Sequence, residues 1–150
     1  MNIRTLSVKI MEARQQRLFR KAPVFRRYSA VSSEDLMALQ QTVGSDLPAQ
    51  LLEWLGHVGY GDLGDELSFR EGWFTRISTG ELTGAVIFAQ DILGSFYAVD
   101  AMGRVYYFPR FESTFAFVAD HFQSFMEELV RRDYKLIAWM DTLKTAPYAW

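Results

Sequence analysis

A length of 150 residues, 49% of them hydrophobic, sets the expectation of one domain with a real core. The chain has no cysteine, which excludes disulfides and thiolate metal sites, and no apolar run near the roughly 20 residues that a membrane-spanning helix needs. The net charge of −2 hides an asymmetry: residues 1–27 carry eight basic side chains against one acid (+7), and residues 28–150 carry eight against seventeen (−9). With no apolar h-region at the start either, a cytoplasmic protein is expected, built as a basic arm (residues 1–27) on an acidic body. Such an arm either lies across its own body or serves as an interaction tail.

In chain order, Ile3, Leu6, Ile10 and Ala13 fall at helical spacing and predict a helix over 2–19, making the basic arm helical. Pro23 breaks it. Ser32 with Asp35 three residues on predicts a second helix start, Leu36, Leu39 and Val43 its apolar stripe, and Gly44 its end. Pro48 opens a third helix with Leu51, Leu52 and Leu55 on its buried face. That helix is expected to end in a glycine-rich loop, Gly56–Gly64 (GHVGYGDLG).

Leu67, Phe69, Trp73, Thr75 and Ile77 then alternate like a strand, with an interruption near Gly72. Three apolar runs follow, at 85–89, 96–99 and 105–108, separated by Asp/Gly turns, and they predict an antiparallel meander. Pro109 stops the third run, and residues 114–119 suggest another strand. Asp120 with Gln123 resembles a capping box. Phe122, Phe125, Met126, Leu129 and Val130 form the clearest helical stripe, and Leu136, Met140 and Leu143 continue it. The fold class that follows is α+β. A single mostly antiparallel or mixed sheet of four to six short strands is covered by N-terminal and C-terminal helices, in one domain spanning 1–150.

Little in the chain points to catalysis. Gly59–Gly64 satisfies G-x-G-x-x-G, but a helix precedes it and Asp62, Asp65 and Glu66 would repel a pyrophosphate, so no nucleotide cofactor is expected. The two histidines, His57 and His121, are far apart, and no metal site is expected from them. Asp91 and Asp100 sit at turns, where Asp bonds its own backbone; with Glu112 they are not read as an acid/base pair. The segment with functional weight is acidic: Asp62, Asp65, Glu66 and Glu71 within ten residues, with Trp73 beside them. It reads either as a solvated loop beside a core Trp, or as a partner-binding patch in which charge steers a basic protein and the ring anchors it.

Four stretches together resemble the SUKH superfamily, the Smi/Knr-type domain. They are Leu47–Gly61 (LPAQLLEWLGHVGYG), Gly84–Asp100 (GAVIFAQDILGSFYAVD), Gly103–Phe108 (GRVYYF) and Phe117–Phe125 (FVADHFQSF). Their order is similar to the family's LP-helix-Gly loop, strand, Gly turn, strand ending in Asp, next strand, and strand-to-helix passage with paired Phe. The resemblance covers residues 32–132 and leaves 1–27 and 135–150 outside it. It implies an α+β fold without enzymatic activity. Many bacterial members are immunity proteins that neutralise a toxin, often a nuclease; others are regulatory or scaffold proteins. The expectation is therefore a cytoplasmic protein-binding module whose partner is a cognate, basic toxin domain, met through Asp62, Asp65, Glu66 and Trp73. Direct nucleic-acid contact and a membrane are not expected. The alternative is a scaffold protein that uses the basic arm.

Overall fold

The computed structural model describes residues 1–150. Helix α1 (Ile3–Glu12) is capped by Asn2, whose Oδ1 accepts the Thr5 N–H at 2.8 Å, and buries Ile3, Leu6 and Ile10. It stops seven residues before the expected end at Phe19. Past Ala13 the apolar stripe meets Arg14 and Arg17, so a longer helix would bury nothing. The chain instead forms a hairpin of β1 (Arg14–Gln16) and β2 (Lys21–Pro23), and then strand β3 (Phe25–Ser29). Residues 1–27 are therefore not a helical arm: Ile3, Leu6, Ile10, Val24 and Phe25 belong to the main core.

Helix α2 (Ser33–Val43) starts with a complete capping box: the Asp35 N–H donates to Ser32 Oγ at 3.1 Å, and the Ser32 N–H donates to Asp35 Oδ2 at 2.8 Å. Gly44 ends it at φ 77°. Pro48 precedes α3 (Ala49–Val58), whose buried face is Leu51, Trp54, Leu55 and Val58; Leu52 is only partly buried. Of the glycine-rich loop expected over 56–64, Gly56 to Val58 still belong to α3 and Tyr60–Leu63 form a strand, β4, paired with β3. The glycines there are a requirement of close approach. A Cβ on Gly59 or Gly61 would lie 2.2 Å from the carbonyl oxygen of Ser29 or Arg26.

The remaining strands are β5 (Leu67–Phe69), β6 (Thr75–Arg76), β7 (Val86–Asp91), β8 (Phe96–Val99), β9 (Val105–Phe108), β10 (Thr114–Ala119) and β11 (Ala146–Pro147). With β3 and β4 they make one antiparallel nine-stranded sheet in the order β11-β10-β9-β8-β7-β5-β4-β3, with β6 beside β7. It exceeds the expected four to six strands because β3 and β4 read as arm and loop, because the alternating run over 67–77 is two strands, β5 and β6, and because the two-residue β11 carries no periodicity. The break near Gly72 is a 3-10 turn, Glu71–Trp73, that lets β5 and β6 share the edge of β7. The β8–β9 turn is held as expected: Asp100 Oδ1 accepts the N–H groups of Met102 and Arg104, and Gly103 sits at φ 84°.

Helix α4 (Phe122–Arg131) buries Phe122, Phe125, Met126 and Leu129, and α5 (Leu136–Met140) follows. Asp120 does not cap α4; the Gln123 N–H donates instead to Gln50 Oε1 of α3, at 2.8 Å. Between helices and sheet, the rings of Trp54, Phe69, Phe88, Phe122 and Phe125 pack at centroid distances of 5.6–6.4 Å. A smaller cluster on the other face joins Ile77, Ala85, Ala98, Tyr106, Phe108 and Tyr148. No helix is long and apolar enough to cross a membrane.

Candidate protein-binding face

The register fixes where the candidate residues lie. Arg26 of β3 faces Asp62 of β4, and Asp62 faces Ser68 of β5. Their neighbours Phe25, Leu63, Leu67 and Phe69 point into the core, so by strand alternation the Arg26–Asp62–Ser68 row points away from it. Asp62 accepts hydrogen bonds from Ser68 Oγ and, at 3.4 Å, from Arg26 Nη2. The pairing of β3 with β4 shifts between Arg27 and Ser29, which leaves Tyr28 as the extra residue of a bulge. A bulge re-aims a side chain. The Tyr28 ring lies 5.0 Å from the Arg70 guanidinium carbon, which stands 4.7 Å over the Trp73 ring, and Arg70 Nη2 donates to Tyr28 Oη at 3.1 Å. Burial, then the Asp62 carboxylate, raises the pKa of the Tyr28 hydroxyl, and Arg70 acts against them.

The β4–β5 turn supplies the other two acids. Asp65 is ion-paired with Arg17 at the root of the β1–β2 hairpin turn. Glu66 Oε1 accepts the Ile137 N–H at 2.9 Å, at the start of α5, while its carbonyl accepts the Ile92 N–H at 2.8 Å. Asp62, Asp65, Glu66 and Trp73 all line one surface depression of about 340 Å³, together with Arg26 and Arg70 among others. The four residues singled out in the sequence are thus neighbours in space.

Their electrostatic character differs from the expected acidic patch. Asp62 and Asp65 each face an arginine from the N-terminal 27 residues, and Glu66 is engaged by a backbone amide. The basic segment does lie across the acidic body here. These partly exposed pairs each contribute about 0.2–1 kcal/mol. Their larger effect is to turn a negative surface into one of alternating sign. Asp91, also at the depression, is buried: Oδ1 accepts the N–H groups of Leu93 and Ser95, both at 3.0 Å, and Oδ2 accepts the Tyr97 hydroxyl at 2.8 Å. Burial, then the adjacent Asp91 carboxylate, pushes the Tyr97 hydroxyl well up. Asp91 is a turn-holding residue.

Sequence reasoning passed over Tyr28, Arg70 and Ile92. Tyr28 depends on a bulge that no local pattern announces. Arg70 was legible, since it sits three residues before Trp73, within reach of the same ring. A comparison of the chain with protein-family models, with curated proteins and with solved structures finds no match.

Proposed function

We propose that this chain is a cytoplasmic, non-enzymatic protein-binding module of the SUKH immunity type, which neutralises a cognate toxin domain by covering its active surface. The observation that carries this reading is the Arg70 guanidinium over both the Tyr28 ring, at 5.0 Å, and the Trp73 ring, at 4.7 Å, in the depression that also holds Asp62. Arg, Trp and Tyr dominate binding energy in protein interfaces, and a side chain already held in place loses little entropy on association. The mixed charges around the stack suit a partner that presents fixed charges of both signs.

The test starts from the neighbouring gene: a toxin domain encoded there is titrated calorimetrically against the chain and co-expressed with it in a growth-rescue assay, and a neighbourhood with no such domain counts against the reading. The expected result is a complex, rescue of growth, and about tenfold or more weaker binding for Trp73→Ala or Arg70→Ala. No complex and no rescue would refute the reading. The alternative, a scaffold bound through residues 1–27, is not separable by deleting them, because Ile3, Leu6, Ile10 and Phe25 are part of the main core.

A further inference from the structure

Most of the sheet's strand registers bring one set of connections to a single end. Phe25 faces Leu63, Leu63 faces Leu67, Leu67 faces Asp91, Gln90 faces Phe96, and Phe96 faces Phe108. The chain entering β3, the β4–β5 turn, the β7–β8 turn and the β9–β10 loop therefore share that end. The β1–β2 hairpin joins them through the Arg17–Asp65 pair, and the Val24 carbonyl accepts the Gly64 N–H at 2.7 Å. The β9–β10 loop is tied to the β7–β8 turn by the Arg110 N–H, which donates to Ser95 Oγ at 3.0 Å.

Turn tips ordinarily carry Gly, Asn, Asp, Ser or Pro. Three connections at this end carry large apolar side chains in water instead: Leu18 and Phe19 are 88% and 92% exposed, Ile92 and Leu93 are 68% and 58% exposed, and Phe111 is 90% exposed. None of the five belongs to either core cluster. Phe111 also holds a left-handed φ of 68°, which an aromatic side chain adopts at a cost. Exposed rings and aliphatic tips in this number mark a surface that another molecule covers.

We infer that these three tips are the apolar anchors of the partner-binding face, and that the partner is a protein whose footprint runs along this whole end of the sheet, across the depression holding Asp65 and Glu66. The inference rests on the protein-binding reading above and names the surface that does the work. The row runs from β3 to β9, five strand spacings or about 24 Å. That matches the breadth of a standard interface of about 800 Å² per partner. Charge selects a protein over a lipid surface. Exposed Arg20, Lys21 and Arg110 share this end with exposed Glu112 and Asp133 and with the Arg17–Asp65 ion pair. An anionic bilayer attracts the first three and repels Glu112 and Asp133, whereas a protein can place an opposite charge against each.

The experiment uses three variants, Leu18→Ser/Phe19→Ser, Ile92→Ser/Leu93→Ser and Phe111→Asn, in the full chain. All five side chains are exposed, so thermal melts should match or exceed the wild type. Each variant is titrated against the toxin domain encoded beside the chain, and each is sedimented with phosphatidylcholine–phosphatidylserine vesicles. The expected result is about tenfold or greater loss of toxin affinity for at least two variants, with no vesicle binding by any protein. Wild-type binding that all three variants keep within about twofold would overturn the inference and leave the immunity reading standing. A wild type that does not bind the toxin overturns both. Vesicle binding by the wild type that the tip variants lose would overturn the inference in favour of a lipid surface.

Discussion

Gly56 and Gly61 stand five residues apart in what reads as one glycine-rich segment, and the structure gives their alanine variants opposite signs. At Gly61 a Cβ would lie 2.2 Å from the Arg26 carbonyl oxygen, 3.0 Å from its carbon and 2.9 Å from the tip of the Phe25 ring. Two of those three atoms are backbone, so β3 must move away from β4. Overpacking alone costs about 1–3 kcal/mol. If β3 peels off, the burial of Phe25 and Val24 is lost as well, at about 1.5–3 kcal/mol each. A middle value of about 3 kcal/mol lowers Tm by about 6–12 °C in a chain of this size. At Gly56, on exposed helix surface, the nearest atom to a new Cβ is Leu36 Cδ1 at 4.0 Å. Alanine there gains helix propensity of about 0.8–1 kcal/mol and raises Tm by about 2–4 °C. Thermal and urea melts of the two variants check this. A Gly61→Ala protein that melts with the wild type, or a Gly56→Ala protein that melts lower, would refute the close-approach argument.

Three further outcomes follow from single sites. The hydrogen bond from Arg131, then that from Arg132, holds the Glu128 carboxyl down at about 2. Its contribution is present above the ordinary glutamate range and lost as pH falls through about 2; NMR titration should place its midpoint there, and Glu128→Gln should lower stability at pH 6 and leave it unchanged at pH 1.5. Phe111→Gly should raise stability by about 1 kcal/mol by relieving the left-handed backbone, seen as a higher urea midpoint, while weakening partner binding. Because β3 is held by its ladder and by buried Phe25 more than by its arginines, 1 M NaCl should leave Tm within a few degrees of its low-salt value. A steep salt-induced loss in circular dichroism melts would mean that charge holds the N-terminal segment.

What was legible in the sequence was mostly what local chemistry decides. The helix start at Ser32 and Asp35, the end at Gly44, the Asp100–Gly103 turn and the stripe of α4 stand where the pattern places them, whereas the Asp120–Gln123 cap does not, because Gln50 takes the Gln123 N–H instead. What was hidden depends on contacts between distant residues. At Arg14 and Arg17 the apolar stripe of the first helix runs out, a local sign outweighed by the helical spacing of Ile3, Leu6, Ile10 and Ala13; that the chain turns back as a hairpin there is not local information. The strand at Tyr60–Leu63 carries one glycine, Gly61, with Gly59 just before it; both lower its propensity, and only the approach of β3 explains them. In the candidate site, Asp62, Asp65, Glu66 and Trp73 were found by composition. Their charge partners Arg17 and Arg26 come from the other end of the sequence, so the balance of the patch was not visible.

That long-range pairing changes how a partner would be held. Arg26 meets Asp62 because Phe25 is in register with Leu63, and Tyr28 reaches Arg70 because the bulge frees it from the ladder one residue later. A slip of one residue would send Arg26 toward the core and Phe25 to water, so burial of Phe25 fixes the register, and the register builds the stack. The face is thus assembled from residues 17–28 and 62–73 and exists only when the N-terminal segment is docked. Neutralised in this way, Asp62 and Asp65 give up much of the long-range pull that an acidic patch would exert on a basic protein. Recognition of the proposed partner would then shift from fast encounter toward slow release, carried by the Arg70 stack and the apolar tips once water is excluded from around them.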